Sequence, residues 1–135
     1  MVSVFVDTSA LYALLDTGST DHGAARDEWG HLRHDGVQLR THSYVVLEAA
    51  ALIQRRLGME AASDLHRSLL VATTVRWVDQ PLHSVATTAL LAAGRRQVSL
   101  VDWTSFEMMR NEHLTEAFAF DAHFAEQGFT LRPAV

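Results

Sequence analysis

No cysteine occurs in the 135 residues, so disulfides, thiolate zinc sites and cysteine nucleophiles are all excluded. Lysine is absent as well, since all 11 basic residues are arginine. Without it there is no Walker-type phosphate loop, no Schiff-base chemistry and no phosphotransfer site of the kind that depends on a lysine. No apolar run approaches the ~20 residues a membrane-spanning helix requires, and no basic segment precedes a hydrophobic one at the amino terminus. Repeats, linkers and low-complexity tracts are also missing. The expectation is a soluble, unprocessed, cytoplasmic protein without a membrane association.

What is present is a chain of 48% hydrophobic composition, enough apolar material for one ordinary domain spanning residues 1–135. The net charge of −5 opposes nucleic-acid binding, because phosphates favour a basic partner. If several of the 16 acidic residues hold divalent cations, however, the formal charge overstates the field a substrate meets.

The stretch Val2 to Leu15 organises the rest. Val2, Val4, Phe5 and Val6 read as a strand buried on both faces, because the run lacks polar alternation and is too short for a helix. Asp7 then stands at the strand's carboxyl end, the edge where open α/β sheets bind ligands. Thr8 or Ser9 can cap a helix through Leu15, and a second helix runs from about His22 to Arg33. Val37–Thr41 reads as a strand, Ser43–Leu57 as the strongest helix with Gly58 as its stop, and Met59–Leu70 as another helix. Val75–Val78 is a predicted strand, and Pro81 opens a helix through Ala93. Val98–Val101 reads as a short apolar run leading into Asp102, followed by a helix over Trp103–Asn111. Ala117–Phe120 is a predicted strand stopping at Asp121, and Phe129–Leu131 a last one. Strands alternating with helices predict an α/β chain, a mostly parallel sheet covered on both faces in a three-layer α/β/α sandwich. Right-handed crossovers then put the strand carboxyl ends on one edge.

Asp7, Asp102 and Asp121 share a context, each following a short apolar run and preceding a helix start. Either each is only a helix cap, since aspartate is favoured there, or the three carboxylates meet at one edge. Glu48 has Tyr44, Val45, Ala51 and Leu52 as its helical neighbours, a face otherwise uncharged. A carboxylate pointing toward a core must be paired, protonated or metal-bound. Its partner is therefore a shared acidic site or an arginine such as Arg40 or Arg110. Four converging carboxylates with no lysine to neutralise them need cations, and oxygen-only ligands select Mg²⁺ or Mn²⁺ over zinc or copper. A site of that type suits phosphodiester hydrolysis. Ser105 and Thr104, one turn beyond Asp102, can orient a water or a phosphate, or simply cap.

The eight histidines show no metal-ligand spacing and read as surface residues, with His123 alone placed near the acidic edge. Trp29, Trp77 and Trp103 have apolar neighbours and read as core, although Trp103, beside Asp102, can also border a nucleobase. The doublets Arg55-Arg56 and Arg95-Arg96 fit helix dipoles or a phosphate backbone equally.

Four segments taken together, VFVDTSALYALLD, VVLEAAALI, SLVDWTSFEMMR and AFAFDAHF, occur in this order along nearly the whole chain. This pattern resembles the PIN-domain ribonucleases, specifically the VapC toxins of bacterial toxin-antitoxin pairs. The resemblance implies a PIN-like sandwich and an Mg²⁺- or Mn²⁺-dependent endoribonuclease acting on an RNA substrate. It implies that Asp7, Glu48, Asp102 and Asp121 form the acidic site, with Ser105 as the hydroxyl of the D-x-x-S-F pattern. A VapB-like antitoxin that blocks the site and a homodimer formed through helices are also implied. One departure is Phe120, where many PIN domains carry Thr or Ser before the final aspartate. The competing reading is a catalytically silent module whose acidic edge captures a basic segment of a partner. A phosphoacceptor domain lacks its acidic pair and its lysine here, and a haloacid-dehalogenase-type phosphatase would show DxD where this chain has Asp7-Thr8-Ser9.

Overall fold

The structure, a computed structural model, describes residues 2–134. Its first strand, β1 (Ser3–Val6), buries Val4, Phe5 and Val6 completely, as expected of a strand covered on both faces. Val2 lies outside the ladder and is 57% exposed, unlike the rest of the run, although its carbonyl accepts from the Gln38 amide. After β1 come α1 (Thr8–Leu15), α2 (His22–His34), β2 (Gln38–His42), α3 (Ser43–Leu57) and α4 (Met59–Asp64). The second half holds β3 (Thr74–Arg76), α5 (Gln80–Ala93), α6 (Leu100–Asn111), β4 (Glu116–Phe118), α7 (His123–Glu126) and β5 (Thr130–Arg132).

All five strands are parallel, in the order β3-β2-β1-β4-β5. Right-handed crossovers from β1 through β2 to β3 travel one way across the sheet, and those from β3 through β4 to β5 travel back. Their helices therefore cover opposite faces. Ring contacts agree: Trp29 of α2 lies 6.5 Å from Phe118 of β4, while Phe106 of α6 meets Phe124 of α7, which meets Phe5 of β1. Because Phe5 pairs with Ala117 and Val6 with Phe118, Phe5 and Phe118 point to opposite faces, and the three layers follow. The direction of winding reverses between β1 and β4, and the carboxyl ends of those two strands open a crevice there.

Three expectations change. The run Val98–Val101 is not extended: Ser99 caps α6, its hydroxyl accepting from the Asp102 amide at 3.1 Å while the Asp102 carboxylate accepts from the Ser99 amide at 2.9 Å. This reciprocal box satisfies two donors that an isolated run would leave open, so helix wins over the β-preference of two valines. The helix expected over Met59–Leu70 leaves α geometry after Asp64, with a π turn at Leu65–Leu69 and a 3₁₀ turn at Leu70–Ala72. Leu65 and Leu69 both stay buried through it. Strand β3 ends at Arg76, so Trp77 and Val78 lie beyond the ladder, and Trp77 is 76% exposed rather than in the core.

Candidate active site

Asp7 terminates β1 and caps α1. Its amide donates to the Phe118 carbonyl of β4 at 3.0 Å, which holds it at the seam between the two strands. Its carboxylate accepts from the Ser9 amide at 3.1 Å and the Ser9 hydroxyl at 2.6 Å. The Ser9 oxygen in turn accepts from the Phe120 amide at 2.9 Å, so one side chain fastens Asp7 to the loop carrying Asp121. Asp7 is only 4% exposed. Burial pushes its pKa up to about 7 against the opposing pull of the Ser9 bonds, and the carboxylates of Asp102 and Asp121 push the same way.

Asp121 sits three residues past the end of β4 rather than at the strand terminus. It accepts from the His123 amide at 2.9 Å, and the His123 ring Nδ1 lies 2.9 Å from the same oxygen. Asp102, on the first turn of α6, completes a group: one ligand atom from each of Asp102, Asp121 and His123 lies within 4.8 Å of the other two. Burial raises the Asp102 pKa, and the charge of Asp121 adds to the rise. Capping and convergence turn out to be compatible. The backbone amides that these carboxylates accept from orient them, and the end of β1, the loop after β4 and the start of α6 carry them, with Asp7 outside the three-residue ligand group.

Glu48 is half-buried on α3, a helix that packs against both α1 and α6 and so lies between the elements bearing Asp7 and Asp102. It is outside the three-residue group. Neither expected arginine holds it: Arg40 and Arg76 pair with Glu112, and Arg110 pairs with Glu107 and Gln127. Thr104 and Ser105 are fully buried, and their hydroxyls donate to the carbonyls of Leu100 and Val101 one turn back. Trp103 is 7% exposed, with its ring edge-on to Phe106 at 5.4 Å.

The residue that reading the sequence missed is His42, expected on the surface and found completely buried at the end of β2. Its Nδ1 accepts from the amides of Tyr44 and Val45 at 3.2 and 3.3 Å, capping α3. Nε2 must therefore carry the proton, and it donates to the Ser105 hydroxyl at 2.9 Å. Burial, with the charge of Arg76 as a lesser cause, pushes its pKa down to about 3, so the ring is neutral. The Ser105 hydroxyl thereby has a donor and an acceptor inside the protein. The available signal was the position of His42, directly between a strand and a strong helix, where a cap is required.

The donor set suits a hard cation. Among the described residues no arginine pairs with Asp7, Asp102 or Asp121, and His123 is the one basic partner of the group. The Thr8 hydroxyl beside Asp7 is buried without a hydrogen-bond partner. Asp7 and Asp102, whose pKa values burial raises and neighbouring carboxylate charge raises further, with an unsatisfied oxygen beside Asp7, fit a divalent ion held mainly by oxygen.

Comparison with known proteins agrees with the geometry. The chain is 35% identical, over 96% of its length and 98% of the relative's, to the 23S rRNA-specific endonuclease VapC20 of Mycobacterium tuberculosis. The crystal structure of VapC20, described as a sarcin-ricin loop cleaving toxin, superimposes with a TM-score of 0.82 at 32% identity, covering 94% of this chain and 96% of that one. A DNA-bound VapBC from Salmonella typhimurium shares the fold alone, with a TM-score of 0.69 at 12% identity over 97% of each chain. The PIN-domain sequence pattern matches residues 4–129, which include every carboxylate described above, and the chain belongs to the PIN-domain family.

Proposed function

We infer that this protein is a divalent-cation-dependent endoribonuclease, the toxin of a VapBC-type pair. The observation that carries this reading is the meeting of Asp102 and Asp121 within ligand distance, beside the buried Asp7, at the crevice between β1 and β4. The 35% identity to an endonuclease over nearly the whole chain supports it.

Asp7, Asp102 and Asp121 would hold the cation, with Glu48 reaching it from α3 and His123 orienting Asp121. Magnesium or manganese fits these oxygens better than zinc. When bound, the ion lowers the pKa of an attacking water and offsets the charge that builds on the phosphate. Asp7, the most buried carboxylate, is the group whose ionisation gains most from a cation. Ser105 acts from beneath, tying α6 through His42 to the start of α3, so that the helices bearing Asp102 and Glu48 keep one spacing. A VapB-like antitoxin covering the edge and a homodimer formed through helices complete the proposal.

The test is cleavage of RNA by purified protein with Mg²⁺, Mn²⁺ or EDTA, beside Asp7→Asn, Asp102→Asn and Glu48→Gln. Each substitution should lower the rate by roughly a hundredfold or more with the melting transition retained. Full metal-dependent activity in Asp7→Asn sinks the assignment. Calorimetric Mn²⁺ binding without any cleavage would instead identify a module that captures a basic partner segment.

A further inference from the structure

Of the two arginine doublets, Arg55-Arg56 lies on the last turn of α3, where the helix dipole accounts for it. Arg95-Arg96 has no such explanation. Helix α5 ends at Ala93 with no basic residue in its last turn, and Gly94, at φ 62°, turns the chain away. The doublet stands instead just ahead of α6, whose amino end favours anions over cations. Internal pairing does not account for it either: Arg40, Arg76, Arg110 and Arg132 are held by carboxylates of the protein itself, whereas Arg96 is exposed and forms no ion pair among the described residues. Its place is nevertheless fixed. The Val98 amide donates to the Arg95 carbonyl at 3.3 Å, Val98 is buried, and Ser99 then opens the capping box that orients Asp102. On the other side the Arg95 guanidinium lies 3.2 Å from the Glu126 carboxylate of α7. Glu126 shares a face of α7 with His123, about 5 Å along the axis, and His123 contacts Asp121. The doublet is therefore bracketed by the two segments that carry the ligand group.

We propose that Arg95 and Arg96 hold a backbone phosphate of the RNA next to the one that meets the acidic group. The proposal rests on the ribonuclease reading and adds a substrate contact to it. A cation at the acidic group offsets charge at the scissile phosphate, but the neighbouring phosphates still meet a protein of net charge −5. A strand held there needs countercharge close by. The planar guanidinium fork matches phosphate oxygens, and Arg95 already accommodates an anionic oxygen, since it donates to Glu126 Oε2. That pair is 45% and 49% exposed at its two ends, so it stabilises little and yields to a phosphate. Arg96 gives up no partner. The other doublet supplies a contrast within the same chain: Arg55 and Arg56 close a 15-residue helix whose start is at the sheet's carboxyl edge, which leaves them roughly 18 Å along it. Distance removes them from any strand crossing the acidic group.

The experiment measures binding of a short fluorescein-labelled single-stranded RNA to full-length Asp7→Asn protein in EDTA over a range of salt, with further substitutions added. Arg95→Ala and Arg96→Ala should each weaken binding roughly fivefold at about 0.1 M salt, and the two together should make the slope of log affinity against log salt shallower by about 1.4. Arg96→Lys should keep the parent's slope, because the charge remains. Glu126→Gln, which frees Arg95, should tighten binding by about twofold or more. Arg55→Ala with Arg56→Ala should change neither affinity nor slope. An Arg95→Ala/Arg96→Ala protein with affinity within twofold of the parent and the parent's slope overturns the proposal. So does loss of a co-purifying antitoxin in that protein with RNA binding intact, which would give the doublet to an acidic protein segment. A parent that binds no RNA at low salt overturns this contact and the ribonuclease reading together. If the protein with Asp7 restored binds RNA but cuts none with Mg²⁺ or Mn²⁺, the ribonuclease reading fails while the salt slope still decides the contact.

Discussion

Asp7 and His42 titrate in opposite senses for one shared reason, burial. The Asp7 pKa of about 7 lies above the 3.8 of an exposed carboxyl, so between those values the folded protein keeps a proton that the unfolded chain has released. Stability from that proton is complete below about pH 4 and is lost as pH rises through about 7. In EDTA, Asp7→Asn should therefore flatten the decline in stability between pH 5 and pH 8, gaining on the order of 2 kcal/mol at the upper end. Urea melts at the two pH values check this, and equal slopes for both proteins would refute it. His42, lowered from 6.5 to about 3, contributes stability that is complete above pH 6.5 and lost as pH falls toward 3. His42→Ala should cost about 2–4 kcal/mol, since it leaves the Ser105 hydroxyl and two α3 amides without their partner. Denaturation at pH 7.5 measures that loss, and ¹⁵N shifts of the parent ring should report a proton on Nε2.

At the scale of elements, the start of α6 decides where Asp102 stands. The Ser-x-x-Asp pattern at Ser99–Asp102 was present in the sequence, but two valines beside it favoured an extended reading. The signals conflicted, and the reciprocal bonds between Ser99 and Asp102 resolved them, starting α6 at Leu100. Ser99→Ala should lower stability by about 1 kcal/mol and also raise the Mn²⁺ dissociation constant several-fold, because Asp102 loses its fixed start of helix. Paired thermal melts and calorimetry separate the two effects, and an unchanged Mn²⁺ affinity would make the box purely structural. Ser9 has a parallel role between α1 and the β4–α7 loop, since its oxygen joins Asp7 to Phe120. Phe120 stands immediately before Asp121, and its backbone amide donates to the Ser9 hydroxyl oxygen.

For the whole molecule, the acidic edge is a local excess of negative charge that the fold tolerates by raised pKa values and that a cation would relieve. An ion binding only the folded state at a hundredfold over its dissociation constant adds about 2.7 kcal/mol. Mn²⁺ should therefore raise the melting temperature at pH 7.5, and Asp7→Asn should lose most of that rise. A scan with and without EDTA is sufficient, and equal gains in both proteins would place the ion elsewhere. Away from that edge, two clamps join charges across elements: Glu112 holds Arg40 and Arg76, and Arg132 holds Glu28 and Glu116.

By itself the sequence determined the alternation of strands and helices, the parallel sheet, and the place of Asp7 at the carboxyl end of β1. Those follow from local pattern: apolar runs too short for helices, caps, and residues whose chemistry admits few uses. The tertiary structure decided which of these groups meet. It placed Asp102 in a helix, brought Asp121 and His123 to it, left Glu48 on the helix between, buried His42 and exposed Trp77. None of that is local. A side chain's burial and partners depend on which strands become neighbours, and the winding reversal between β1 and β4 joins residues more than a hundred positions apart.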